Sequence, residues 1–443
     1  MRIQLSDHFT YKRLLRFVIS PILMMICTSL YSIVDGFFVS NYVGKTPFAA
    51  VNLIMPVCMA LGTVGTMIGT GGSAIVSMTL GAGKQKDANR YFSMLVYFAV
   101  ILSILLSIIG FFFARPIAIA LGATGELLEN CVIYSRLLFF ALTAFVLQNM
   151  FQSFFVTAEK PSLSLKMSLL AGITNVVLDF LFIAVFHWGL AGAAIATGIG
   201  QVVGGFVPLI YFARKNDSLL QLTKTRFEGK ILRKTFGNGA SEMVTNLSTS
   251  LVNILYNFQL MKLAGENGVA AYGIIMYVNF VFMAIFFGYS IGSAPIIGYH
   301  YGAANHDELK NLFRKSLTLV SGTGVILTVL AELLNVPLVT IFASYDAELF
   351  AMTCHGFRLY SLAFVVMGIN VWGSAFFTAL GNGVISATIS FLRTLVFQVS
   401  VVLILPILLG IDGIWLAIVV AEVLALIFTL IFFGLNKNKY HYA

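Results

Sequence analysis

Long apolar runs alternate with short polar breaks along the whole chain. Six runs fall at about 14–39, 47–78, 91–114, 132–156, 163–186 and 190–213. After a polar stretch, six more fall at 236–261, 268–298, 314–336, 354–379, 384–409 and 411–435. A helix needs about 20 apolar residues to cross the hydrocarbon of a bilayer. These runs are too long and too little alternating for barrel strands. A helix also satisfies its own backbone in lipid. The pattern therefore predicts an all-α polytopic membrane protein with twelve transmembrane helices. The polar stretch at 214–234 carries Arg214, Lys215, Lys224, Arg226, Lys230, Arg233 and Lys234. It divides the chain into a first lobe (1–213, helices 1–6), a linker (214–235) and a second lobe (236–443, helices 7–12).

The two sets of six are a repeat. Displaced by 221 positions, Gly81–Ala82 falls on Gly302–Ala303, Gly44 on Gly265, and Gly71 on Gly292. Asn149 falls on Asn370, Thr157–Ala158 on Thr378–Ala379, and Gly189 and Gly192 on Gly410 and Gly413. Shared leucines would mean little in apolar sequence. Glycines at one fixed offset mean more, because they mark turns and close approaches. Six spans per repeat is even, so both halves have one orientation. That predicts parallel repeats about an axis along the membrane normal, with a substrate site between two lobes.

Composition agrees: 59% of residues are hydrophobic and 10% charged, with a mean hydropathy of +0.93. A soluble domain carries about 25% charge. The net charge of +9 is a matter of sidedness and does not call for nucleic acid. Most of the Lys and Arg sit at the N-terminus, in alternate loops, in the linker and at the C-terminus. Lys45, Arg115, Arg136, Lys262 and Arg358 lie toward the other side, and Arg393 lies within the eleventh run. The bias places both termini in the cytoplasm. Lys12, Arg13 and Arg16 lead into a run much longer than a signal peptide's, which argues against cleavage. Cys27, Cys58, Cys131 and Cys354 are far apart and read as small core residues.

A few polar residues interrupt the apolar runs. A carboxylate at a bilayer centre costs at least ~2.5 kcal/mol, so each such residue is a functional candidate. Asp35 lies near the outer end of the first run. Asn175 and Asp179 are four apart on the fifth helix and share a face. Thr197 lies on the sixth. Asp179 and Thr197 each lie seven residues from an outer helix end, on the order of 10 Å deep. The set Asp35, Asn175, Asp179 and Thr197 can thus meet in the outer half of the first lobe. The second lobe offers Tyr256, Val396, Ser400 and Ile418 at the same offset, so the cluster does something only one lobe does. Oxygen donors of this kind suit a hard cation such as Na⁺. Two neighbouring carboxyls could instead share a proton, or the four could be an interhelical clamp.

Other candidates line up for substrate contact: Tyr31, Asn149, Gln201, Glu242 and Asn370. Tyr31 precedes Asp35 by one turn and suits a lipophilic cation, or packs at the interface. Asn149 and Asn370 are repeat partners that either face the pseudo-axis or bond between helices. Glu242 reads as a first-turn acid favoured by the helix dipole, or as a substrate contact. Glu422 either lines the cavity or pairs with Arg393. Glu332 lies near the outer end of the ninth helix. Pro21 and Pro56 mark kinks, and the many methionines suit varied ligands or the core. The glycine-rich "GTGGSAIVSMTLGAGKQKDANRYF" lacks phosphate-loop spacing. No G-x-S-x-G, CxxC or other catalytic set appears, so no enzyme is expected.

The stretch "SLYSIVDGFFVSNYVGKTPFAAVNLIMP" and the pair "GTGGSAIVSMTLGAGKQKDA" and "SIGSAPIIGYHYGAANHDEL" resemble the multidrug and toxic compound extrusion (MATE) family over essentially the whole chain. The resemblance implies a secondary antiporter of a bacterial inner membrane, exporting cationic lipophilic small molecules against inward Na⁺ or H⁺. It implies no cofactor beyond that ion, contact with membrane lipids, and a monomer. It places the first-lobe cation site on Asp35, Asn175, Asp179 and Thr197, with Tyr31 and Asn149 lining the adjoining pocket. Some sodium-coupled relatives carry an acid where Asn370 stands, and a Glu near Asn246 rather than at Glu242. The resemblance therefore does not extend to a second-lobe cation site. The rival readings are a lipid or polysaccharide flippase, whose cavity would be richer in cations, and a passive channel.

Overall fold

A computed structural model describes residues 3–344 and 346–443. Twelve helices cross the molecule: α1 Tyr11–Tyr42, α2 Lys45–Gly81, α3 Gln85–Ala120, α4 Gly125–Thr157, α5 Pro161–Val185 and α6 Gly189–Ala213. In the second half, one helical stretch Gly229–Gly302 breaks at Gly265, where φ is 60° and ψ −149°. It forms α7 (229–264) and α8 (266–302). Then follow α9 His306–Ala343, α10, α11 Gly383–Leu409 and α12 Ile411–Tyr440. The tenth is a broken span, Ala347–Ser361 and Phe364–Ala379, bent by 50°.

The repeat glycines now have physical reasons. Gly44 and Gly265 have positive φ at the outer turns of each lobe's first helix pair, as do Gly189 and Gly410 between the fifth and sixth spans. Only glycine enters that region without strain. Gly81 packs on the backbone at Tyr299, and Gly302 on the backbone at Met78. These are one contact and its pseudo-symmetric image, since Met78 and Tyr299 are themselves 221 apart. Gly71 against Gly239 and Gly292 against Val18 form a second such pair. A methyl group at any of these glycines would meet the facing helix. The cytoplasmic halves of α1, α2, α7 and α8 therefore press together, and the lobes are sealed on that side.

The N-terminal segment reinforces the seal. Leu5 and Phe9 are fully buried. The Leu5 N–H donates to Glu159 Oε1 of the first lobe at 2.7 Å. The Phe9 N–H donates to Glu308 Oε1 of the second lobe at 2.9 Å, and Lys315 Nζ donates to the Phe9 carbonyl at 2.7 Å.

Two expectations shift. The seventh helix starts at Gly229, not near 236, because Lys230–Lys234 wind as a polar helical extension beyond the apolar run. The linker proper is thus 214–228. It lies against α3, with Thr223 N–H donating to Ser93 Oγ at 2.8 Å and Thr225 Oγ1 to the Arg90 carbonyl at 2.8 Å. Glu242 consequently sits several turns inside α7, so the dipole of a first turn does not explain it.

Each lobe also has a π-helical stretch, Phe180–Val185 directly after Asp179 and Leu392–Phe397 around Arg393. Such widened turns re-aim side chains and recur at functional sites. Here each lies beside a buried charge.

Candidate functional site

The first lobe brings its four candidates together. Asp35 from α1, Asn175 and Asp179 from α5 are buried, and Asp179 is fully so. The Asp35 carboxyl makes polar contact with the side chains of Asp179, Asn175 and Thr197. Asn175 Nδ2 donates to Thr197 Oγ1 at 3.4 Å, a long bond. Small residues permit the convergence: Gly200 of α6 lets α5 approach at Asn175, and Gly172 of α5 lies under the Tyr31 ring.

The electrostatics of this cluster are unbalanced. Both oxygens of Asp179, Asp35 Oδ1 and Asn175 Oδ1 are buried without a hydrogen-bond donor. Two carboxylates are acceptors only, so the contact between Asp35 and Asp179 becomes a hydrogen bond only when one carries a proton. Among the described residues neither forms an ion pair. A buried carboxylate without a partner is costly. A cation or a shared proton would relieve both, and the free acceptors of Asp35, Asp179 and Asn175 fit either.

Two neighbours escaped the sequence reading. Gln148 of α4 is buried beside Tyr31 with its Oε1 lacking a donor, and Tyr134 of α4 is buried near both aspartates. The cost argument that exposed the carboxylates applies more weakly to neutral polar groups. Gln148 was nonetheless visible as an amide in an apolar run. Gln201, one turn beyond Thr197, is half-buried with its Oε1 also lacking a donor.

The second lobe solves the same problem differently. Glu422 is fully buried and accepts from Arg393 Nε at 2.7 Å. Asn370 Nδ2 donates to Glu422 Oε2 at 2.8 Å, and Thr429 Oγ1 donates to Asn370 Oδ1 at 3.0 Å. This charge is already neutralised. Asn370 therefore departs from its expected substrate role: it is fully buried and committed to Glu422 and Thr429, away from the cavity wall. Glu422 pairs with Arg393, settling the alternative left open by the sequence. Tyr256, standing where Asp35 stands in the first lobe, stacks on Tyr272 with centroids 4.8 Å apart.

Between the lobes lies a cavity of about 200 Å³. Its walls include Asn149 and Gln152 of α4, Glu242 and Asn246 of α7, Ser374 of α10 and Arg393 of α11. Asn149 also donates to the Gly62 carbonyl at 3.4 Å. Glu242 is half-buried there. Tyr31 and Gln201 stand with the first-lobe cluster rather than on this wall.

The family model described as MatE matches residues 21–181 and again 243–404, one copy in each lobe. The chain belongs to the MatE family. Among MatE relatives, the multidrug export protein MepA of Staphylococcus saprophyticus is 23% identical over 430 residues, spanning 97% of this chain and 94% of that protein. MepA of Staphylococcus aureus is 22% identical over 433 residues, 97% and 94% of the two chains. The fold matches a crystal structure of MATE in complex with MaL6 at a TM-score of 0.93, with 22% identity and 98% of both chains covered. It matches an outward-facing conformation of a multidrug resistance MATE family transporter of the MOP superfamily at 0.92, with 23% identity and 98% coverage of both. A MOP superfamily transporter from Pyrococcus furiosus, described as having a binding pocket of reversed polarity, aligns at 0.90 with 22% identity, covering 98% of this chain and 97% of that one.

Proposed function

We propose that the chain is a secondary multidrug exporter of a bacterial cytoplasmic membrane, with both termini inside. It moves lipophilic organic cations outward in exchange for Na⁺ or H⁺ entering at Asp35, Asn175, Asp179 and Thr197. One observation carries the reading: the buried acids of the first lobe have no counter-charge, whereas the buried acid of the second lobe has Arg393. Only the first lobe has a place for an exchangeable cation. The printed names of the MepA relatives, and the seal on the cytoplasmic side, support export.

In this mechanism the coupling ion reaches the first-lobe cluster from outside. Its arrival neutralises the aspartates and changes the packing of α1 against α5 and α6. Drug bound in the central cavity is held by Glu242 and the polar groups of α4 and α10. Exchange requires that ion and drug favour different conformations. Since Tyr31 and Gln148 lie between the aspartates and the cavity side of α4, they are positioned to pass that change on.

The test is dye efflux from everted vesicles under a Na⁺ gradient alone and then a pH gradient alone. One gradient should drive efflux in the wild type. Asp35→Asn and Asp179→Asn should each reduce that driven rate at least about tenfold, equivalent to ~1.4 kcal/mol of lost coupling. Undiminished driven efflux in both variants would remove the coupling site from these residues. Current without exchange would favour a channel.

A further inference from the structure

The central cavity contains two opposite charges that do not pair with each other. Glu242 of α7 and Arg393 of α11 both line it, yet Arg393 bonds Glu422, which lies behind the wall. That bond uses Nε, 2.7 Å from Glu422 Oε1. A guanidinium has a second edge, formed by its two terminal nitrogens. Among the described residues no hydrogen bond engages that edge, and its atoms are not among the buried ones lacking a partner. Arg393 also lines an adjoining cavity of about 130 Å³ that shares Thr245 and Phe287 with the first. The free edge therefore opens onto space.

Hydroxyls flank it. Ser374 and Ser390 line the same wall, with their oxygens 3.0 Å apart, and Ser374 lies 2.9 Å from Ser386 Oγ. A free guanidinium edge beside hydroxyl donors is the geometry that holds a carboxylate through two charge-assisted bonds. Glu422 offsets the formal charge of Arg393, so the wall does not expel cations. Glu242 supplies the complementary negative charge.

We propose that Arg393, with Ser374 and Ser390, forms an acid-group subsite of the central cavity. The cavity then accepts zwitterionic amphiphiles as well as pure cations, the carboxylate on Arg393 and the ammonium toward Glu242. This deepens the export reading and rests on it.

The experiment compares rhodamine B, a fluorophore with one carboxylate and one delocalised cation, with its ethyl ester, which keeps only the cation. Both are titrated by fluorescence polarisation onto purified protein in lipid nanodiscs. The readout is the ratio of the two affinities. The wild type should favour the acid over the ester about tenfold more than Arg393→Gln/Glu422→Gln does, the size of one charge-assisted pair. The double substitution avoids stranding Glu422 as an unpaired charge. Ser374→Ala/Ser390→Ala, which leaves the ion pair in place, should lower the ratio about threefold. A ratio within twofold of wild type in the variants overturns the subsite; if the double variant does not fold, the serine variant decides. Failure of both dyes to bind the wild type would overturn the export reading itself, and the subsite with it.

Discussion

At the scale of residues, the molecule holds buried carboxylates in two different ways, and substitution should tell them apart. Removing one partner of a buried ion pair strands the other charge, at about 3–5 kcal/mol. Glu422→Ala leaves Arg393 stranded and should lower the melting temperature markedly. Asp179→Asn removes a charge that has no partner and should leave it unchanged or raise it. Fluorescence-detected thermal unfolding of the two variants checks this, and equal destabilisation would mean that Asp179 is an ordinary structural acid. The four first-lobe residues were legible in sequence because carboxylates in lipid announce their cost, and because the repeat supplied a blank at the same offset. Gln148 and Tyr134 were not singled out, since neutral polar groups carry a smaller cost. Asn370 was misplaced because its helix face cannot be read without knowing that Thr429 and Glu422 stand across from it.

At the scale of elements, glycine contacts define the seal. Gly81 and Gly302 let α2 and α8 cross with backbone against backbone. A valine at 302 would meet Met78 and wedge the lobes apart. In a Ser77→Cys background, where residue 77 is fully buried in the seal, Gly302→Val should raise labelling by a membrane-impermeant maleimide added from the cytoplasmic side at least about fivefold. Deleting residues 2–9 should act in the same direction, because Leu5 and Phe9 tie Glu159 of one lobe to Glu308 of the other. Unchanged labelling in both would mean that other contacts hold the cytoplasmic side shut. The repeat offset made these glycines visible in the sequence. It did not say whether each served a turn or a crossing, because both need the same missing side chain. The helix boundaries were less legible. The start of α7 is polar, so hydropathy alone passed over it, and with it the depth of Glu242.

At the scale of the whole molecule, two similar lobes carry dissimilar electrostatics. Their common origin in the repeat was readable from fixed spacing. The division of labour was only half readable: the sequence showed what the second lobe lacks, and the folded chain adds the Arg393–Glu422 pair it has instead.

The position of Asp179 within α5 also has an electrical meaning. It lies six residues from Val185, the outer end of that span, which is about 9 Å at 1.5 Å per residue. In a hydrocarbon core of about 30 Å that is roughly a third of the way through. A monovalent ion reaching it from outside crosses about a third of the membrane potential, worth ~0.8 kcal/mol per 100 mV. The apparent affinity for the driving ion should therefore strengthen about three- to fourfold for each 100 mV of inside-negative potential. Proteoliposomes clamped with potassium and valinomycin would measure this slope. An energised membrane would then do more than push the ion through: it would concentrate the ion at the site before any lobe has moved.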